Sequence, residues 1–433
     1  MVPTYAPGLP LLMAAFKAVG GETAVYLVVP LLGALAVWLT YCLGRRFGDG
    51  RVAALASFAL LVCPIFLTRL VWPMSDVPAM TWWLAAIVLA TEPTPARTAL
   101  AGAAVTAAIL TRPNLFPLAL LVGVFILIQP ASLRTRVWRA VVFGVTLLPG
   151  PIAVAAINNH LYGSPFTSGY GTIDTIYGGR YFVTNLVRYP MWLVETQTPF
   201  ILLAVAAPFL LRRAGRLAVS RLALFALIFV AGVLLLYLWY TPYEDREFLR
   251  LLLPAYPLML VAAAAAFDVL APAAPRPRAA AFASVAVLLA VWGVWEGRQA
   301  FLTRGYEARY RAAARMAAAL PENALFLSNL HSGSLRYYAH RLTLRFEWLA
   351  PDVFGSALEQ IRTSGRPLFV VLDEAEREAF RAQYAAVADL SWLDGPPTLI
   401  AAKRVFFYQL WPPVDDRATV LPLVQTDRPA HGP

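Results

Sequence analysis

The chain has 433 residues, 59% of them hydrophobic and only 14% charged, with a mean hydropathy of +0.62. It is far more apolar than a soluble domain, and its apolar runs recur at roughly 20-residue length, which defines a polytopic α-helical membrane protein. The formal net charge of +11 does not indicate nucleic-acid binding, because the arginines gather in short loops between apolar runs, as the positive-inside rule requires. Cys42 and Cys63 both lie inside apolar runs, which excludes a disulfide framework or a thiolate metal site, and His160, His331, His340 and His431 show no paired metal-ligand spacing.

Residues 1–10 carry no basic n-region, and Pro3, Pro7 and Pro10 break any helical run, so they form neither a signal peptide nor a helix. A short surface helix over 11–19 places Lys17 at the interface, and 1–22 is expected to be an external juxtamembrane segment. The transmembrane domain is expected over 23–297, with about ten spans at 23–43, 52–69, 77–91, 98–111, 114–128, 138–158, 190–211, 221–240, 249–271 and 280–297. The runs 98–111 and 114–128 are short for a ~30 Å core. One bent helix around Arg112-Pro113 is the alternative, and it would invert everything downstream. With two spans, Arg45, Arg46, Arg51, Arg97, Arg134, Arg136, Arg139, Arg212, Arg213, Arg216, Arg221, Arg276 and Arg278 fall on one side. That side is expected to be cytoplasmic, with both termini outside.

The stretch Arg69-Leu-Val-Trp-Pro-Met-Ser-Asp76-Val-Pro-Ala79 interrupts two apolar runs at a membrane boundary. A carboxylate costs about 2.5–3.5 kcal/mol at mid-bilayer and less near the surface, and such groups usually line a substrate path. Alternatively Asp76 caps the helix that follows. Three other external segments stand out. Residues 158–181 are rich in Gly and Tyr, including Tyr170, and suit either a sugar or a membrane interface. In Glu244-Asp245-Arg246-Glu247-Phe-Leu-Arg250, the two arginines lie four apart and would share one face of an α-helix, where they could hold a phosphate or diphosphate. The alternative is a solvated loop with Glu247 paired to Arg250. Arg112 is either a head-group anchor or a ligand.

Beyond 298 the pattern changes to alternating helices and strands: helix 307–320, strand 324–328, a helix after Ser332, strand 343–346, helix 354–363, strand 367–372, helix 374–384 and strand 404–408. This predicts a C-terminal extracytoplasmic α/β domain over 298–412 and a flexible tail over 413–433. His331-Ser332-Gly333 lacks the G-x-S-x-G setting of a nucleophile elbow.

These motifs, in this order, resemble the GT-C superfamily of membrane glycosyltransferases, in particular the bacterial branch similar to protein O-mannosyltransferases and lipid A aminoarabinose transferases. Tyr5-Ala-Pro7-Gly8 resembles the family's Tyr-x-Pro-Pro/Gly stretch, and Met74-Ser-Asp76-Val-Pro78 its second acidic motif. Arg246-Glu-Phe-Leu-Arg250-Leu-Leu-Leu-Pro254 resembles the Arg-Phe-x-x-Pro stretch that opens a late span, and Tyr162-Gly-Ser-Pro a loop of bacterial members.

The resemblance implies a multi-pass enzyme of the bacterial cytoplasmic (inner) membrane. Such an enzyme moves a sugar from a polyprenyl-phosphate-linked donor to a lipid, glycan or protein acceptor on the extracytoplasmic face, with inversion, as a hexosyl- or pentosyl-type transferase. It implies Asp76 as a catalytic carboxylate and as the candidate ligand of a divalent metal ion. Tyr5, Arg246, Arg250, Glu244, Asp245 and Tyr170 are the candidate substrate-binding residues. The sequence departs from the family in having no acid before Glu22. The expectation is therefore a chain lacking the first transmembrane helix and first acidic motif, inactive if it is truncated. A transporter or flippase of lipid-linked sugars is the alternative class, although no internal repeat is visible.

Overall fold

A computed structural model of the chain describes residues 5–242 and 244–411, so the expected tail 413–433 lies outside the described residues. The chain divides into two compact units, Met1–Phe301 and Leu302–Pro433.

Unit 1 is helical. Helix Gly8–Val25 replaces the short helix expected over 11–19 and is kinked at Gly21 (φ 70°, ψ −165°), a conformation that a residue without Cβ tolerates. Helix Val28–Phe47 ends on Arg45 and Arg46, which oppose its C-terminal dipole. Asp49 caps the next helix by accepting bonds from the backbone N–H groups of Arg51 and Val52.

Among the described residues, five helices are long and apolar enough to cross a membrane: Val28–Phe47, Leu133–Tyr162, Leu217–Leu238, Arg246–Leu270 and Pro275–Glu296. The pair Gly50–Leu61 and Pro64–Leu70, bent by 59°, is long and apolar enough together for a broken span or a re-entrant loop, and Asp76–Ala90 and Leu118–Ile128 are shorter apolar helices. The run expected as one span over 190–211 is broken. Helix Phe182–Gln197 stops at Thr198 (φ 61°, ψ 168°), because Pro199 supplies no N–H and pushes the preceding residue out of the helical region.

Arg112 separates two helices rather than bending one. It is extended (φ −149°, ψ 83°) between Pro95–Thr111 and a turn at Pro113–Leu115. Helix Leu133–Leu147 runs beside Pro95–Thr111 in the same direction, with Gly102 against Phe143 and Thr106 Oγ1 bonded to the carbonyls of Thr146 and Leu147. Helix Leu118–Ile128, which joins them along the chain, therefore runs in the opposite direction.

The loops sort to two ends. At one, Glu92 pairs with Arg46 and Arg97, and Asp268 pairs with Arg216 and Arg278. At the other lie Asp76, Arg112 and Arg250. In the most apolar 18-residue window of Arg246–Leu270 89% of the residues are buried and in that of Leu133–Tyr162 only 11%, so the first lies at the centre of the bundle and the second on its rim. Small residues over Ala262–Ala266 let neighbouring helices approach the centre closely.

A Cβ on Gly293 would lie 2.0 Å from the Val62 carbonyl oxygen at the 59° bend. Gly293→Ala is expected to wedge helix Pro275–Glu296 away from that bend and cost about 1–3 kcal/mol. Thermal unfolding in detergent checks this, and an unchanged midpoint would contradict it.

Unit 2 is a five-stranded sheet in the order β2-β1-β3-β5-β4: β1 (Leu325–Leu327), β2 (Leu342–Leu344), β3 (Leu368–Asp373), β4 (Leu399–Ala401) and β5 (Val405–Trp411). β1, β2 and β3 are parallel, and β5 runs antiparallel to both β3 and β4. β4 has no counterpart among the expected strands, because three residues are too few to show a period. β3 reads Leu-Phe-Val-Val-Leu-Asp and is buried at every position, since helices cover both faces of the sheet.

Beyond the carboxyl ends of β1 and β3, Asp373 pairs with Arg309 at 2.8 Å and lies 3.5 Å from His331 Nε2. Glu376 accepts bonds from the backbone N–H groups of Leu330 and Asp373. Burial pushes His331 down to about 4, against the upward pull of Asp373. An unfolded His binds its proton near 6.5, so the folded state binds fewer protons between the two values, and stability falls as pH drops through that window. Unit 2 is expected to lose about 2 kcal/mol between pH 7 and pH 5. Hydrogen exchange of the β1 and β3 amides, corrected for intrinsic rates, checks this, and His331→Gln should flatten the dependence.

Candidate active site

Asp76 is the first residue of helix Asp76–Ala90, after an N-cap Ser75 whose side chain makes no cap bond. Its carboxylate is 1% exposed and does not cap the helix. The capping alternative therefore gives way to an ionic role, with the helix dipole also favouring a negative charge in the first turn. Arg112 Nη2 donates to Asp76 Oδ1 at 2.7 Å. Arg250 Nη1 lies 3.8 Å from Oδ2, which has no hydrogen-bond partner among the described residues. Arg112 is brought there by the break after Thr111, and Arg250 by a 3-10 helix over Arg246–Ala255.

Arg69, 2% exposed, completes the cluster. It pairs with Glu247, lies 4.4 Å above the Trp72 ring and sits 3.9 Å from Met74 Sδ. Arg250 also donates to Met74 Sδ at 3.1 Å. Three guanidiniums thus surround two carboxylates, leaving one positive charge in excess. Arg112 Nη1 and Arg69 Nε are buried without hydrogen-bond partners among the described residues, so donors remain free for a ligand.

The site is supported from below. Asn114 donates to Tyr237 Oη at 3.0 Å and to Tyr177 Oη at 3.2 Å. Asn185 donates to the carbonyls of Tyr237, Leu238 and Tyr240. The Gly- and Tyr-rich loop is tied down by Gly178 N–H to Trp239 O and Thr241 N–H to Ile176 O, both 2.8 Å.

Arg246 and Arg250 do not act on one face. In a 3-10 helix of three residues per turn, positions four apart diverge by about 120°. Arg246 accordingly pairs with Glu296 at 2.8 Å while Arg250 faces Asp76. Glu247 pairs with Arg69 rather than Arg250, which sets aside the solvated-loop alternative. Asp245 caps the 3-10 helix through Glu247 N–H at 2.8 Å, and Glu244 is exposed without an ion pair among the described residues. Tyr5 and Tyr170 meet each other edge to face, ring centroids 6.1 Å apart, as a second grouping.

Sequence reasoning did not assign Arg69, Glu247, Asn114, Tyr177 or Tyr237 to the site. The one signal for Arg69 was a cation opening the same interrupted stretch as Asp76.

The Asp76 surroundings do not fit a divalent metal ion. Its carboxylate faces two guanidiniums, and among the described residues no three His, Cys, Asp or Glu side chains gather as ligands.

The fold is GT-C-like over nearly the whole chain. ArnT from Cupriavidus metallidurans in the apo state superposes with a TM-score of 0.62 at 16% identity, covering 94% of this chain and 88% of that one. The same protein bound to undecaprenyl phosphate gives 0.61 at 16% identity and the same coverage. The Archaeoglobus fulgidus oligosaccharyltransferase, in complex with Zn and sulfate, gives 0.51 at 14%, covering 92% of this chain and 64% of that one.

Residues 4–154 match the family described as dolichyl-phosphate-mannose-protein mannosyltransferase, a stretch that contains Asp76 and Arg112. No curated protein sequence matches the chain. The chain is thus similar to that family over residues 4–154 and to ArnT in fold, the resemblance that its motifs implied.

Proposed function

We propose that the protein transfers a sugar from a polyprenyl-phosphate-linked donor to an acceptor on the extracytoplasmic face, with inversion at the anomeric carbon. The observation that carries this reading is the buried Asp76, one oxygen held by Arg112 and the other unbonded beside Arg250. As the acceptor's nucleophilic O–H or N–H attacks the anomeric carbon, Oδ2 takes its proton. The bond from that carbon to the phosphate oxygen breaks on the opposite face, which inverts the centre. The departing polyprenyl phosphate carries the electron pair, and Arg250 and Arg69 stabilise its charge. Tyr5 and Tyr170 supply ring faces suited to a sugar or acceptor.

The test is turnover of a radiolabelled polyprenyl-phosphate sugar by the purified chain in proteoliposomes. Release of polyprenyl phosphate together with a product of inverted configuration is expected. Absence of release with any lipid-linked donor would overturn the reading.

The reading also orients the protein, with Asp76 outside and the Arg46, Arg97, Arg216 and Arg278 end in the cytoplasm. On intact cells a membrane-impermeant maleimide is expected to label Tyr170→Cys, and Arg213→Cys only after permeabilisation. The reverse pattern would contradict the orientation.

A further inference from the structure

The carboxyl ends of the parallel strands in unit 2 form an edge that the transferase reading does not use. The chain leaves β1 into helix Ser332–Ala339, whose Leu335 and Ala339 pack with Ala313 and Ala317 on one face of the sheet. It leaves β3 toward helix Arg377–Tyr384, whose Phe380 and Tyr384 pack with Phe354 on the other. Adjacent parallel strands whose connections depart to opposite faces open a crevice at their carboxyl ends, where open α/β sheets bind ligands.

Just past the carboxyl end of β1, Ser328 Oγ and His331 Nδ1 are buried with no hydrogen-bond partner among the described residues. Beside them Arg345, just after β2, donates Nε and Nη2 to Asn329 Oδ1 at 2.9 and 2.8 Å and Nη2 to Glu347 Oε2 at 2.5 Å. Its guanidinium lies 4.4 Å from the Trp348 ring centroid, and the Trp348 side chain is exposed at 56%. Asn329, Arg345 and Glu347 are thereby fixed as planar polar groups around an exposed indole.

We propose that this edge is a binding site for a neutral saccharide. Arg345 lies over the indole ring, and the exposed remainder of that ring suits the apolar face of a pyranose, while the side-chain amide, guanidinium and carboxylate suit adjacent hydroxyls. The Arg345 and Glu347 charges cancel, which favours an uncharged sugar over an anionic one.

The test is saturation-transfer NMR on the full chain in nanodiscs, with methyl β-D-glucopyranoside as probe and methyl β-D-glucuronide as the anionic control. Transfer to the glucoside is expected, at least five-fold stronger than to the glucuronide. It should fall at least five-fold in Trp348→Ala and persist in Trp348→Phe, which keeps an aromatic face. It should also persist in Asp76→Asn, which separates this site from the one in unit 1. No transfer, equal transfer in Trp348→Ala, or loss only in Asp76→Asn would overturn the proposal.

Discussion

Asp76→Asn is expected to lower sugar transfer by about 10²–10⁴-fold, the range that a positioned general base supplies. Asn keeps the volume and an oxygen to accept the Arg112 bond, but its Nδ2 is a donor where Asp76 Oδ2 now stands unbonded, so no proton can be taken. Loss of the charge leaves buried guanidiniums with less compensation, and removing one partner of such a pair can cost about 3–5 kcal/mol. Transfer rate and thermal midpoint are therefore measured together. If the single variant fails to fold, Asp76→Asn with Arg112→Gln removes both charges and decides the matter. Full transfer in a folded variant of either kind would end the catalytic role of Asp76.

Arg250→Ala is expected to raise the KM for the lipid-linked donor roughly 10–100-fold, corresponding to a charge-assisted hydrogen bond of about 1.5–3 kcal/mol. Arg250 has no carboxylate at hydrogen-bond distance: it lies 3.8 Å from Asp76, donates to a thioether and sits 4.8 Å from the Phe248 ring centroid, so its guanidinium can turn to a phosphate without breaking a close ion pair. Arg246→Ala is expected to change donor KM only a few-fold, because Arg246 is held by Glu296 on the far side of the 3-10 helix. Steady-state kinetics with varied donor at saturating acceptor compare the two. Equal losses, or a larger loss for Arg246, would contradict the assignment of the phosphate to Arg250.

Part of this site was legible in the sequence and part was not. Asp76 showed itself as an acid where an apolar run should continue, and Arg112 as a charge at a proline break. The reading of Arg246 and Arg250 as one clamp rested on α-helical spacing, and the 3-10 geometry of Arg246–Ala255 undid it. The local pair Glu247 and Arg250 was a reasonable expectation from proximity along the chain, but Arg69, 178 residues from Glu247, takes that carboxylate. Asn114, Tyr177 and Tyr237 gave no local signal, because a polar residue near a membrane boundary looks the same whether it meets water or two buried hydroxyls.

What the sequence alone determined about this protein is what period, composition and charge carry. The apolar runs, the basic loops between them, the change to strand and helix alternation beyond 298, and the motifs that resemble those of the GT-C superfamily all depend on neighbours along the chain. What only the tertiary structure decided is which charges meet. Arg69, Asp76, Arg112 and Arg250 lie in three separate stretches, and the 59° bend at Cys63-Pro64, the extended Arg112 and the 3-10 turn after Asp245 bring them within one cluster. Long-range pairing of this kind is set by how helices pack across the bundle, and no local pattern encodes it.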